Sequence, residues 1–330
     1  RQEQSAAIIV IEHRLQYLLP LSDRLVIIEN GKVTADEKPP RLCRIAPAGS
    51  VEVSSLKTDV SCKEPGDGSA QQEASPVQPL LSLEEVTVKY EQKTVLNKIS
   101  FSLYPGETAA LMGDNGCGKT TLLLVLLGII KPDQGRIYFE GEEISGAGVT
   151  QRAREMGLTF QNPNHQLFEQ TVFKEASLPS QFLARDLEQS LERVEELLRR
   201  FDLSQYREQV PFALSLGEKK RLTLISVLAY QPPILLLDEP LVGQDQQRLE
   251  LLLDVLLGHR QRGGLTIMAC HEPQVVERCC QRVLFLEQGN LIIDAPTEAA
   301  FLELARLGRE EYLPQSHYSL AAGEETRYEP

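Results

Sequence analysis

No run of apolar residues in this sequence is long enough to cross a bilayer. The longest, LLLVLLGII at 122–130, falls far short of the roughly 20 residues that a spanning helix needs. The expectation is a chain that does not cross a membrane, with room left for one that sits beside it. Positive charge is also scarce: 34 Lys and Arg stand against 47 Asp and Glu, a net charge of −13. No polybasic cluster interrupts that balance, so neither a nucleic-acid footprint nor an anionic-lipid patch is expected. Cysteine is sparse, six in 330 residues, and no two are spaced C-x-x-C. This excludes a disulfide scaffold and fits a reducing cytosol. Aromatic residues are missing from 37–80, where six Pro, three Gly and six Ser fall within 44 positions. Such a stretch cannot bury enough apolar surface to offset its ordering entropy. It reads as a flexible linker with an r.m.s. span of roughly 35–40 Å.

What is present begins with a repeat. IIVIEH at 8–13 and TIMACH at 266–271 are apolar runs that stop at a histidine. At the offset of 258 between His13 and His271, Arg24 matches Arg282, Glu29 matches Glu287, Gly31 matches Gly289 and Asp36 matches Asp294. A repeat at fixed offset bears on domain organisation before any fold is considered. What precedes His271 has no counterpart before His13, so the first copy is only the tail of a domain. Ordered patterns resume at 81. EVTVKY at 85–90 and FSLYPGETAALMG at 101–113 predict strands. Leu187, Leu191, Val194, Leu198 and Phe201 lie at helical spacing in 186–203 and predict a core-facing stripe. The division expected is a remnant over 1–36, a linker over 37–80, a complete domain over 81–300 and a tail over 301–330 whose polar end frays.

GDNGCGKTT at 113–121 fits the pattern G-x-x-x-x-G-K-[ST], with an apolar strand, Thr108–Met112, entering and an apolar helix leaving from Leu122. Gly113, Gly116 and Gly118 let the backbone curl with N–H groups inward, and the helix N-terminus adds its dipole, so the loop suits phosphate oxygens. Lys119 is placed to neutralise β- and γ-phosphates and Thr120 to ligate Mg²⁺. ILLLDEP at 234–240 is a buried strand ending in two carboxylates. Asp238 suits Mg²⁺ held through its water shell, and Glu239 suits polarisation of an attacking water. In LSLGEKKRL at 214–222, Ser215 and Gly217 open a helix, and Ser215 with Glu218 forms a capping box. That helix end can also accept an anion supplied by a partner.

Taken together, these residues resemble an ATP-binding cassette (ABC) ATPase domain over roughly 81–300. The resemblance implies an α/β fold: a P-loop NTPase with a RecA-like core, an antiparallel β subdomain and an α-helical subdomain. It implies ATP and Mg²⁺ as ligands. Tyr90 is similar to the aromatic that stacks on adenine. Residues 113–121, including Asn115, Cys117 and Thr121, match the Walker A loop. Gln161 in TFQNP is similar to the glutamine that senses Mg²⁺ and the γ-phosphate. Residues 214–218 match the signature motif, which acts in trans through Ser215, Gly217 and Glu218. Asp238 and Glu239 match Walker B. Asp245 in LVGQD is similar to the D-loop aspartate, and His271 to the switch histidine. Glu239, His271 and Lys119 are then the catalytic residues.

In this family, ATP lies between the loop of one domain and the signature of another. His13 is similar to the switch histidine of an earlier domain, which implies two fused ATPase domains, with this chain holding the second. Alone, it is expected to bind ATP and to hydrolyse it poorly unless two copies pair. Two departures stand out. Leu216 replaces the usual signature glycine, where a side chain is expected to hinder positive φ and close approach to phosphate. Cys117 sits beside Lys119 and a helix N-terminus, where a lowered pKa and a reactive thiol are one reading and a small residue that simply fits is the other.

QNPNHQLFEQTVFKEASLP at 161–179 narrows the resemblance to energy-coupling factor importers, which take up vitamins and transition metals such as cobalt and nickel. Asn164 replaces the usual acid, while Gln166, Leu167, Phe168, Thr171, Val172 and Glu175 fit. In that family the segment over 161–175 docks a helix of an integral membrane subunit, which implies exposed Leu167 and Phe168 and a peripheral location on the cytoplasmic face of the cell membrane. The alternative is packing of both in their own core. The rival function is a soluble tandem ABC ATPase acting on ribosomes. Against it stand the Pro- and Ser-rich linker and LVGQD in place of T-N-H-L-D.

Overall fold

A computed structural model describes residues 25–29, 32–37, 78–240 and 246–317. The expectations for His13, Arg24, Gly31, most of the linker, Asp245 and the end of the tail lie outside these residues. Two units are distinct, one within 1–73 and one within 74–330.

The first unit shows a hairpin of β1 (Leu25–Glu29) and β2 (Lys32–Glu37). Its pairs run Leu25↔Glu37, Val26↔Asp36 and Ile27↔Ala35, then shift by one residue to Ile28↔Val33 and Glu29↔Lys32.

The second unit opens with β3 (Leu81–Tyr90) and β4 (Lys93–Leu103), followed by β5 (Thr108–Met112) and α1 (Lys119–Leu127). Then come β6 (Gln134–Phe139), β7 (Glu142–Glu143), the short α2 (Val149–Arg152) and β8 (Met156–Thr159). Three helices follow: α3 (Val172–Leu183), α4 (Leu187–Arg200) and α5 (Leu216–Ala229). The chain continues through β9 (Ile234–Asp238), α6 (Gln246–Gln261), β10 (Leu265–Ala269), α7 (Pro273–Cys279), β11 (Arg282–Glu287), β12 (Asn290–Pro296) and α8 (Thr297–Arg306).

Two sheets result. One is antiparallel, in the order β4-β3-β6-β7; the other runs β12-β11-β5-β10-β9-β8, parallel except for the edge strand β12. Strands buried on both faces read as continuous apolar runs. The side-chain period of two then divides each between two cores. Ala109 and Leu111 of β5, and Ile234 and Leu236 of β9, join the core shared with β3, β4 and α1. Ala110, Met112, Leu235 and Leu237 join the core shared with the helices. Helix α1 is apolar on every side because it contacts strands of both sheets.

The β11–β12 hairpin pairs Val283↔Ala295, Leu284↔Asp294 and Phe285↔Ile293, then shifts to Leu286↔Leu291 and Glu287↔Asn290. Advancing the pairs of β1–β2 by 258 reproduces all five, bulge included.

Two details depart from expectation. In α4, Val194, Leu198 and Phe201 are buried as predicted, but Leu187 is exposed and Leu197 takes an unforeseen core place. The apolar stripe therefore turns slightly from the one drawn through Leu187. Helix α8 crosses residue 300, and Phe301, Leu304, Tyr312 and Leu313 lie in the core, so the packed fold continues past the expected boundary. Among the described residues, no helix is long and apolar enough to cross a membrane.

Leu122 is fully buried in α1 between the sheets. Leu122→Ala is expected to lower unfolding stability by about 2–5 kcal/mol, read from urea denaturation of the 330-residue chain.

Candidate active site

The parallel strands deliver four loops to one edge of the sheet. Asp238 pairs with Ala269, and Ala269 with Leu111, so β9, β10 and β5 end level. Ligands in open α/β sheets bind outside these carboxyl ends.

The loop after β5 depends on two glycines. Gly113 has φ +134, and a Cβ there would lie 2.1 Å from the Leu286 carbonyl oxygen. Gly118 has φ +114 and abuts Leu96 and Val95 of β4. Gly118 is the N-cap of α1 and offers no side-chain cap, which leaves first-turn N–H groups available to an anion. Lys119 is buried, and its Nζ donates to the carbonyls of Gly113 (2.7 Å) and Asp114 (2.9 Å). Asn115 and Gly116 are exposed on the loop, and Thr121 follows in the helix. Tyr90 ends β3 about half exposed, in the hairpin whose second strand touches Gly118.

Thr120 Oγ1 donates to Asp238 Oδ2 at 2.9 Å. Burial pushes the Asp238 carboxyl up, with the negative Glu239 adding to it and Thr120 opposing. These are hard oxygen donors suited to Mg²⁺. Among the described residues no group of three or more His, Cys, Asp or Glu could hold a metal.

Glu239 is held from several directions. Its backbone takes φ +48, its N–H donates to the Ala269 carbonyl at 3.1 Å, and its carbonyl accepts from Lys220 Nζ at 2.7 Å. Gln161 Nε2 donates to its Oε2 at 2.9 Å. His271 Nε2 lies 3.1 Å from its Oε1, an ion-pair distance. The ring nitrogen nonetheless has no aligned hydrogen-bond partner, so the contact is one of proximity rather than a straight hydrogen bond. The His271 contact, with help from Gln161 against the opposing effect of burial, holds the Glu239 carboxyl below the ordinary value. Burial lowers the Lys220 ammonium. Lys220 was not singled out in sequence, although its place in GEKKR is now explained: it ties α5 to the end of β9.

At the signature, Ser215 N-caps α5, and Glu218 closes the capping box as expected, with Ser215 N donating to its Oε2 at 2.8 Å. Gly217 follows in the first turn. Leu216 corrects an expectation. It is an exposed first-turn residue of a right-handed helix and does not adopt positive φ. Cys117 fits the second of its two readings: the thiol is buried as a small residue, and desolvation raises its pKa more than Lys119 lowers it.

The segment after Gln161 separates two residues that were taken together. Leu167 is 2% exposed and packs in the helical core, whereas Phe168 is 75% exposed. Buried Glu175 accepts from the backbone N–H groups of Phe168 and Glu169, both at 2.7 Å, and Thr171 N-caps α3. The short turn Pro163–His165 precedes them.

A phosphate loop at a parallel strand's end, facing a strand tipped with two carboxylates, defines a P-loop ATPase. Residues 96–242 match the family model described as ABC transporter. They form an ABC transporter ATP-binding domain, of a family that hydrolyses ATP. A Methanosarcina mazei protein named as an ABC transporter ATP-binding protein is 31% identical over 94% of this chain and 60% of its own length. This chain spans 54–60% of the length of the curated relatives it matches first. The solved structure of cbiO1 from Clostridium perfringens, described as part of the ABC transporter complex cbiONQ, has TM-score 0.59 and 29% identity. The match covers 71% of this chain and 98% of that one. A dimeric cassette bound to ADP and Pi in a post-hydrolysis state shares the fold at TM-score 0.58 and 24% identity, over 66% of this chain and 98% of that one. The ribosome-acting alternative gains no support from these relatives.

The two carboxylates should part on acidification. Asp238, raised, is protonated above the ordinary Asp value; Glu239, lowered, keeps its charge below the ordinary Glu value. Mg²⁺-dependent ATP binding is therefore expected to fade on acidification, above the ordinary Asp range, while Glu239 is still ionised. Asp238→Asn is expected to remove that acid limb together with most of the Mg²⁺ dependence, measured by nucleotide titration with and without the ion.

Proposed function

We propose that this chain is the second ATPase half of a fused pair that powers a membrane importer of the energy-coupling factor type, taking up a vitamin or a transition metal. One observation carries the transport reading: Gln161, which holds Glu239, and the exposed Phe168 lie seven residues apart on one segment. Hydrolysis state at one end is thereby linked to an apolar contact surface at the other. The likeness to cbiO1, part of the cbiONQ complex, favours the same partner class. The fused pair is supported by the β1–β2 register, which copies that of β11–β12 at an offset of 258. It is also supported by the longer relatives, against which nearly the whole chain aligns.

In this reading the loop N–H groups and Lys119 bind the phosphates, Tyr90 stacks on adenine, and Thr120 and Asp238 hold Mg²⁺ with Gln161 nearby. Mg²⁺, when bound, neutralises charge on the phosphate oxygens. Glu239 orients and polarises the attacking water, and His271 approaches the γ-phosphate. Ser215, Gly217 and Glu218 face nucleotide bound by the partner domain, and Asp245 serves as the D-loop aspartate. A covalent pair makes that encounter intramolecular. The location that follows is peripheral, on the cytoplasmic face of the membrane.

In the full-length protein Glu239→Gln is expected to retain ATP binding and to lose turnover by roughly 100-fold or more; unchanged hydrolysis would refute the role given to Glu239. Phe168→Asp is expected to leave soluble ATPase activity near parental and to abolish co-purification of an integral membrane subunit from detergent-solubilised membranes. Retrieval of ribosomal proteins without a membrane partner would sink the importer reading.

A further inference from the structure

The loop residue Asp114 presents a carboxylate where a polyphosphate is to bind. It stands between Gly113 and Asn115 with its side chain about half exposed. Its backbone carbonyl is already committed, accepting from Lys119 Nζ and from Cys117 N at 3.2 Å. A free carboxylate at this position would repel the nucleotide's phosphates.

The carboxylate is not free. Tyr312 Oη donates to Asp114 Oδ1 at 2.7 Å. Arg309 Nη1 lies 3.8 Å from Asp114 Oδ2. Both residues belong to the segment that follows α8. Tyr312 is buried and meets Phe285 of β11 edge-on, with centroids 5.0 Å apart. Arg309 also pairs with Glu287, the last residue of β11, and lies 3.7 Å from Glu311. One guanidinium thus serves three carboxylates around the loop.

We propose that Arg309 and Tyr312 are positioning residues for nucleotide binding, which draw the Asp114 carboxylate back from the phosphate loop and neutralise it. The seated segment after α8 thereby sets the affinity of the loop for ATP. This rests on the reading of residues 113–120 as the ATP-binding loop. It differs from a purely structural clasp in one respect: its effect runs through the charge of Asp114.

The test is titration of the 330-residue chain with a fluorescent ATP analogue. Arg309→Ala is expected to weaken binding roughly 5- to 10-fold at low salt. The deficit should shrink as ionic strength rises from about 0.05 M to about 0.5 M, because exposed charges are screened. Tyr312→Phe is expected to weaken binding about 2- to 4-fold. Asp114→Asn, introduced into Arg309→Ala, should restore parental affinity, and Arg309→Lys should stay within about 2-fold of the parent. An Arg309→Ala chain that binds like the parent overturns the proposal. So does a deficit that Asp114→Asn does not relieve, since a fold defect is indifferent to that charge. Failure of the parent to bind nucleotide, or binding that survives Lys119→Ala, overturns the site reading and the proposal with it.

Discussion

The site depends on the common register of four parallel strands. Thr159 pairs with Leu237, Asp238 with Ala269, and Ala269 with Leu111, which levels the ends of β8, β9, β10 and β5. From those ends the chain proceeds to Gln161, to Glu239, to His271 and to the loop at Gly113. A slip of one residue in any strand would exchange its two apolar faces between the two cores. The register is therefore fixed by burial of side chains such as Ala109 against Ala110 and Ile234 against Leu235, far from any chemistry. The geometry of the candidate site is inherited from core packing.

Within that frame, neighbouring acids are driven in opposite directions. Asp238 belongs to the buried strand and is desolvated, so its carboxyl is raised. Glu239 is one residue further, at φ +48, a left-handed turn that costs about 1 kcal/mol or more outside glycine. The turn carries its side chain off the strand, to Gln161 and His271, which favour the charged form. Two adjacent carboxylates thus receive different environments, which is how one site separates two carboxylate roles.

The legible part of the site was the part written in local patterns. Gly113, Gly118, Lys119 and Thr120 sit at fixed spacing, the buried β9 ends in its acids, and Ser215 and Glu218 declare a cap. The parallel core followed from apolar runs flanked by turn residues. What escaped depends on partners distant in sequence. Lys220 is one basic residue among several until its ammonium is seen on the Glu239 carbonyl. Asp114 occupies a position that the 113–121 pattern leaves open, Arg309 and Tyr312 lie in an unpatterned stretch, and the three meet only because the segment after α8 returns the chain to the loop. The fate of Leu167 and Phe168 turned on how one turn is wound, and the thiol of Cys117 on a burial that overrides its charged neighbour.

Lys220 gives α5 a second duty. From its N-cap Ser215 the helix reaches Lys220 five positions later, about 7.5 Å along its axis at 1.5 Å per residue. The side chain of Lys220 is buried and ends on the main chain of Glu239. The first turn, with Ser215 at its cap, and the main chain that carries the Glu239 carboxylate are therefore joined through one helix and one hydrogen bond.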